Sequence, residues 1–279
     1  MRWEEAIGLA VRDLPLAFVD VETTGLWAGR GDRICEVAVV VYQGGREVRR
    51  FSSLVNPRRP ISPGAAAVNR LSDAQVRDAP VFAAIAAEVA NALAAGVPVA
   101  HNAPFDLSFL AHELQLAGLP PAAAGAIDTL ALARRLLPCP RYGLGELARY
   151  LALRVPGQAH RALADALTTR ELLQRLLERP PLSHGARLAD LLALQGGPAR
   201  WPSDDGGVLA LPPELAEWVR PGRRLRIVYV NADGQQTDRL VEPNEVYASG
   251  NAVYLVAYCH LRQEQRTFRV DRIVSWEPA

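Results

Sequence analysis

The feature that most constrains the fold is an alternation of strand-type and helix-type runs over the first two-thirds of the chain. Leu16 to Val21 is a short apolar run ending in acid, Glu36 to Tyr42 is valine-rich and reads as a central strand, and Arg50 to Val55 reads as a third strand beyond a turn at Gly44-Gly45. Helical patterns at Val81 to Ala94, Phe105 to Ala117, Thr129 to Leu136, Leu144 to Leu153 and Ala162 to Leu177 are broken by short strands at Val97 to Ala100 and Gly125 to Asp128. Strands interleaved with helices predict an α/β fold, a mixed sheet covered by helices.

The composition changes after Glu178. Prolines and glycines punctuate the chain up to about residue 221, with short helices expected at Leu188 to Leu194 and Glu214 to Arg220. From Leu225 the pattern becomes short strands: Leu225 to Val230, Thr237 to Val241, Ala252 to Tyr258, Thr267 to Val270 and Ile273 to Trp276, with turns at Asp233-Gly234 and Ser249-Gly250. The expected organisation is an α/β domain over 1–178, a linker with short helices over 179–220, and a small β-barrel-like domain over 221–279. At 49% hydrophobic and 22% charged, the chain can build a core. Its 31 basic residues are all arginine, and 30 acids leave a net charge of only +1, so any basic patch for nucleic acid must be local. The sparse cysteines Cys35, Cys139 and Cys259 argue against a disulfide framework or a cysteine zinc site and fit a reducing cytoplasm. No signal peptide and no membrane span are expected.

Three clusters carry chemistry. In Phe18-Val19-Asp20-Val21-Glu22, residues two apart face the same side of a strand, so Asp20 and Glu22 project together from its end. Two adjacent carboxylates repel unless protonated or bridged by a cation, and oxygen ligands suit Mg²⁺ or Mn²⁺. The plain alternative is a pair of solvated acids. The second cluster, His101-Asn102-Ala103-Pro104-Phe105-Asp106, follows a strand and opens a helix at the carboxyl edge of the sheet, where α/β sites lie. There Asp106 could simply favour the helix dipole and His101 hold the turn. In the third, His160 precedes a helix and Asp165 lies near its first turn, with a surface histidine and a dipole-favouring acid as the alternative.

Taken together, four carboxylates and a histidine suit phosphodiester hydrolysis. Two metals about 3.5–4 Å apart can clamp the attacking and leaving oxygens. Asp20 is expected to bridge both ions, Glu22 and Asp165 to complete the one beside the attacking water, and Asp106 to support the other. Histidine's ordinary pKa near neutrality suits His160 as general base.

With these residues in place, the chain resembles the DEDDh exonucleases, the group that includes the proofreading epsilon subunit of bacterial DNA polymerase III, over roughly 15–178. The matching motifs are Asp20-Val21-Glu22 with Thr23-Thr24-Gly25-Leu26, His101-Asn102 through Phe105-Asp106, and His160-Arg161-Ala162-Leu163 through Asp165-Ala166. The resemblance implies a ribonuclease H-like fold, divalent metals, His160 as base, and release of 5′-nucleoside monophosphates from the 3′ end of single-stranded DNA or RNA. It also implies that the backbone around Thr23 and Thr24 holds the terminal nucleotide, with Leu26 packed on its base. His101, Asn102 and Phe105 are carried over as substrate-binding residues. Asn69-Arg70 stands where relatives often carry His-Gly. Trp27, Arg30, Arg33, Arg58 and Arg59 are further candidates for contact with the strand.

The segment Arg226 to Ile273 resembles the WYL domain, a small Sm/SH3-like β module, with Val253 where the naming tryptophan would stand. The resemblance implies ligand or nucleic-acid sensing through Tyr254, Arg266, Arg269 and Arg272; a wet strand face and a core tyrosine are the alternative. The leading functional expectation is a 3′→5′ exonuclease, acting on DNA in repair, proofreading or processing, with a polymerase or repair complex as a partner. Two alternatives stand beside it: an exoribonuclease trimming RNA 3′ ends, and an inactive ligand-sensing or nucleic-acid-binding protein.

Overall fold

In a computed structural model, the described residues are 3–25, 28, 31–120, 125–139, 141–154, 157, 160–201, 223–231, 235–249 and 252–279. The chain divides into two compact units, Met1–Pro202 and Ser203–Ala279.

The first unit is built on a five-stranded mixed sheet. Its strands are β1 (Leu16–Thr23), β2 (Ile34–Gln43), β3 (Arg46–Leu54), β4 (Val97–Ala100) and β5 (Ile127–Asp128), ordered β3-β2-β1-β4-β5. β1, β2 and β3 form an antiparallel meander, while β4 and β5 run parallel to β1. The Glu36 to Tyr42 run lies in the interior strand β2, but β1 takes the centre of the sheet. Both strands are almost wholly buried because helices cover both faces.

The helices are α1 (Trp3–Ala6), α2 (Pro63–Asn69), α3 (Asp73–Val76), α4 (Phe82–Ala94), α5 (Ala103–Leu116), α6 (Thr129–Leu136), α7 (Leu144–Tyr150), α8 (Ala162–Leu177) and α9 (Leu188–Gln195). Alternation along β1 and β2 splits the apolar side chains into two cores. Ala17, Val19, Val21, Val37, Val39 and Val41 pack with α4 and α5 around Phe82, Phe109 and Leu110. Leu16, Phe18 and Ala38 pack on the other face with α6, α8 and α9.

The boundaries differ from expectation in places with local causes. α5 starts two residues early because Pro104 fits its first turn. α7 stops at Tyr150, with Leu151 as its C-cap and Ala152 at a φ of 49°. α2 and α3, which sequence periodicity did not reveal, are short helices opened by Ser62 and Ser72; the Ser62 hydroxyl accepts the Ala65 amide. The segment expected as linker from 179 contributes Leu188, Leu191 and Leu192 to one core and Trp201 to the other, so the first unit continues to Pro202. The expected helix at Glu214 to Arg220 and the expected turn at Asp233-Gly234 lie outside the described residues, as does Gly250 of the expected turn at Ser249-Gly250.

The second unit carries an antiparallel sheet of β6 (Leu225–Val230), β7 (Gln236–Ser249), β8 (Ala252–Cys259), β9 (Glu264–Arg269) and β10 (Ile273–Pro278), in linear order β10-β6-β7-β8-β9. β7 runs well beyond the expected Thr237 to Val241, paired with β8 across a register shift near Pro243. Leu225, Ile227, Val241, Leu255, Phe268 and Ile273 form its core. Among the described residues no helix is long and apolar enough to cross a membrane.

Phe109 is fully buried between α5 and the sheet. Phe109→Ala is expected to destabilise the first unit by about 3–5 kcal/mol in urea denaturation, since a large cavity replaces the ring.

Candidate active site

Strand register assembles the site. Glu22 stands opposite Glu36 across β1 and β2, and Asp20 stands opposite Ala38. Alternation therefore turns Asp20, Glu22 and Glu36 to the face covered by α8, which supplies Asp165 from its first turn. One carboxylate oxygen from each of Asp20, Glu22 and Asp165 lies within 4.8 Å of the others. Just beyond this point the ladder shifts: Thr23 pairs with Ile34, leaving Cys35 as an extra residue on β2. Such bulges turn strand ends and often lie beside sites.

Asp106, at the start of α5, stands outside that group of three oxygens and meets the backbone of β1. The β1–β4 ladder ends at Phe18 and Val99, so the Val21 amide lies beyond it. That amide donates to Asp106 Oδ1 at 3.0 Å. Asp106 is buried, at 3% exposure, and its charge acts on Asp20.

The electrostatics are those of crowded acids. Burial, then the charges of Asp106, Asp165, Glu22 and Glu36, push Asp20 well above the usual carboxylate range. Burial pushes Glu22 up to about 8, helped by Asp165 and Glu36 and opposed by Arg161. Burial also raises Asp165, against the His160 amide hydrogen bond and the His160 charge. An all-oxygen donor set that strains to stay ionised fits a hard divalent cation, which would remove the repulsion.

His160 sits at the exposed corner before α8, with a left-handed φ of 61°, and its amide donates to Asp165 Oδ2 at 3.0 Å. The backbone bond ties these two residues together.

The expected substrate residues fall into different surroundings. His101 is held by the protein: Nε2 donates to the Tyr142 carbonyl at 2.8 Å, and Nδ1 meets the Thr129 hydroxyl at 3.0 Å. Burial lowers its pKa, which favours the neutral ring. These two contacts make it a brace for the β4–α5 corner. Asn102, exposed at that corner with a φ of 69°, donates its amide to Asp128 Oδ1. Phe105 is half-buried, its ring centroid 5.1 Å from that of Phe109. Thr23 and Thr24 are buried, and their hydroxyls meet the Gly25 carbonyl and Asp32 respectively. The Thr24 amide and carbonyl bond Arg33 and Ser62. Leu26, Trp27 and Arg30 lie outside the described residues. Arg33 pairs with buried Glu113 at 2.7 Å, and Arg59 with Asp32 at 3.2 Å. Arg58 is exposed.

In the second unit, Tyr254 stands opposite Arg269 on β8 and β9, and Arg266 pairs with Glu264 at 3.0 Å. Arg272 is half-buried.

Two residues that sequence reasoning did not assign complete the first site. Glu36 is 4% exposed and is gripped by the Arg161 guanidinium, with Nη2 to Oε1 at 2.8 Å and Nε to Oε2 at 3.0 Å. The Ala162 amide donates to Glu36 Oε2 at 3.1 Å. The available signal was an acid opening an otherwise apolar valine strand. Asn69 is buried and donates to the Thr23 carbonyl at 3.2 Å, so it braces the end of β1.

A mixed sheet flanked by helices carries carboxylates that converge at the end of its central strand. The family model described as Exonuclease matches residues 17–173, and the chain belongs to that family. A second family model, the WYL domain, matches residues 212–278. The chain is 37% identical over 162 residues to the 3′-5′ exonuclease DinG of Bacillus subtilis (strain 168), covering 58% of this chain and 17% of that protein. It is 35% identical over 169 residues to the DNA polymerase III subunit epsilon of Treponema pallidum (strain Nichols), covering 60% of this chain and 78% of that protein. The chain thus spans under a fifth of DinG and most of the epsilon subunit. The crystal structure of E. coli Exonuclease I in complex with a dA16 oligonucleotide shares the fold, with a TM-score of 0.54 at 19% identity, covering 88% of this chain and 55% of that one.

The raised Glu22 gives a stability prediction. Its folded pKa of about 8 lies above the ordinary 4.5, so between these values the folded state holds the proton that the unfolded state has lost. Metal-free stability should therefore fall as pH rises through that window. Thermal melts in EDTA should show that fall, and Mn²⁺ should raise the melting temperature more near pH 8 than near pH 5. A flat EDTA profile would contradict it.

Proposed function

We propose that this chain is a 3′→5′ exonuclease that uses two divalent cations, Mg²⁺ or Mn²⁺, and acts on single-stranded or frayed DNA ends in repair, proofreading or processing. The observation that carries this reading is the convergence of Asp20, Glu22 and Asp165 within 4.8 Å, with buried Asp106 acting on the same point. Asp20, Glu22 and Asp165 would hold the cations and Asp106 would support them. When bound, the cations offset charge developing on the phosphoryl oxygens and on the leaving oxygen.

The chain's own groups do the rest. An imidazole nitrogen of His160 takes a proton from the water that attacks the terminal phosphorus. As the new P–O bond forms, the bond to the 3′-oxygen breaks. That oxygen takes up a proton, and a 5′-nucleoside monophosphate departs. The hydrogen bond from the His160 amide to Asp165 keeps the base beside the cation-holding acids. The backbone around Thr23 and Thr24 and the β4–α5 corner of Asn102 and Phe105 are assigned to the terminal nucleotide, with His101 bracing that corner. The DNA assignment draws support from the relative named as a DNA polymerase III subunit, and a polymerase or repair complex is the proposed partner. The second unit is assigned a modulatory role as a small Sm/SH3-like barrel, sensing nucleic acid or another ligand through Tyr254, Arg266, Arg269 and Arg272.

The test is hydrolysis of end-labelled single-stranded DNA, duplex DNA and RNA, with Mg²⁺ and with EDTA. Stepwise shortening of DNA from the 3′ end in Mg²⁺, absent in EDTA and in Asp20→Ala, is expected. Full activity in folded Asp20→Ala would sink the reading, and a preference for RNA would replace its substrate. His160→Ala should lower single-turnover rates by about 10²–10⁴-fold while Mn²⁺ affinity changes little. Ending the chain at Pro202 should weaken DNA binding more than it slows the bound-state step.

A further inference from the structure

The start of α8 is held by a residue from another element. A helix leaves its first amides without internal partners, and a local side chain commonly caps them. Here the N-cap residue, Arg161, makes no side-chain cap bond. Instead the Ala162 amide donates to Glu36 Oε2 on β2, and the Arg161 guanidinium grips the same carboxylate through Nε and Nη2. A buried carboxylate at the positive end of the helix dipole, held by a planar fork, fixes both distance and angle.

Its location gives this contact its importance. Arg161 follows His160 directly and precedes Asp165 by four residues. Glu36 stands opposite Glu22 in the β1–β2 ladder. Like charges facing each other across a ladder repel. The guanidinium answers the charge on Glu36. The ion pair therefore joins the strand bearing Glu36, next to the Asp20 and Glu22 strand, to the helix bearing Asp165 and the corner bearing His160.

We propose that Arg161, through its ion pair with Glu36, is a positioning residue that holds His160 and Asp165 in place against Asp20 and Glu22. The inference rests on the nuclease reading above. A conserved charge with a lysine in its place would lack the two-point grip, because an ammonium is a point charge and not a fork.

The test uses the full chain in four forms: Arg161→Ala, Arg161→Lys, Glu36→Gln and the double variant Arg161→Ala/Glu36→Gln. Circular dichroism establishes which are folded. Arg161→Lys and the double variant leave no buried carboxylate without a countercharge, so they carry the test if Arg161→Ala does not fold. In the folded forms kcat on end-labelled DNA should fall about 10–100-fold while KM stays within about threefold, the range typical of groups that orient metal ligands. Isothermal titration with Mn²⁺ should show weaker binding in the same variants. The double variant should be no worse than the more impaired single variant, because both remove one contact. A rise in KM with unchanged kcat would overturn the inference and mark Arg161 as a strand-binding residue. Unchanged kcat and Mn²⁺ affinity in Arg161→Lys and the double variant would also overturn it. The wild type and Asp20→Ala run in parallel: an inactive wild type defeats the nuclease reading, whereas an active wild type with unimpaired Arg161 variants defeats this inference alone.

Discussion

Mutual repulsion among acids is the constraint on which the site depends. Asp20, Glu22 and Asp165 gather at the end of a central strand, with Glu36 and Asp106 on neighbouring elements, and burial and neighbouring charge disfavour ionisation of the three. The protein answers part of that repulsion itself. Glu36 has the Arg161 fork and a helix amide, Asp106 has the Val21 amide, and Asp165 has the His160 amide. For Asp20, burial and all four neighbouring carboxylates act in the same direction. Asp20, under that combined repulsion, contributes one of the three carboxylate oxygens that lie within 4.8 Å of one another.

The scaffold makes such crowding tolerable. β1 and β2 are buried on both faces, and their alternating side chains feed two separate cores. Placing charge in the middle of these strands would require partners on either side. Placing it at the end of β1, where the β4 ladder has stopped and the β2 ladder bulges at Cys35, leaves room for donors from α5 and α8. Burial pushes the Cys35 thiol up to about 12, which keeps it a packing residue beside the site. Asn69 and His101 brace the two strand ends from neighbouring elements.

The two compact units have separate cores, one formed on a mixed sheet with helices and the other on an antiparallel sheet. The exonuclease family match falls within the first unit, and the WYL match falls within the second. Catalytic chemistry and the proposed sensing role are therefore borne by parts of the chain with independent hydrophobic cores.

Much of the first unit was legible because its signals are local. The apolar runs of β1 and β2, the bounds of α6 and α8, and the acids at element ends follow from alternation and helical period. α2 and α3 were not legible, being too short for a helical period to declare itself. The sequence by itself determined which residues could serve: two acids on one strand face, an acid in a first helical turn, and a histidine five residues before another acid. Only the tertiary structure decided that Glu36 stands across from Glu22 and takes Arg161, that His101 turns inward to Tyr142 and Thr129, and that residues 188–201 belong to the first core. Those outcomes depend on strand register and on packing between distant segments, and no local periodicity encodes partners that lie from 14 residues apart, as Glu22 and Glu36 do, to 125 apart, as Glu36 and Arg161 do.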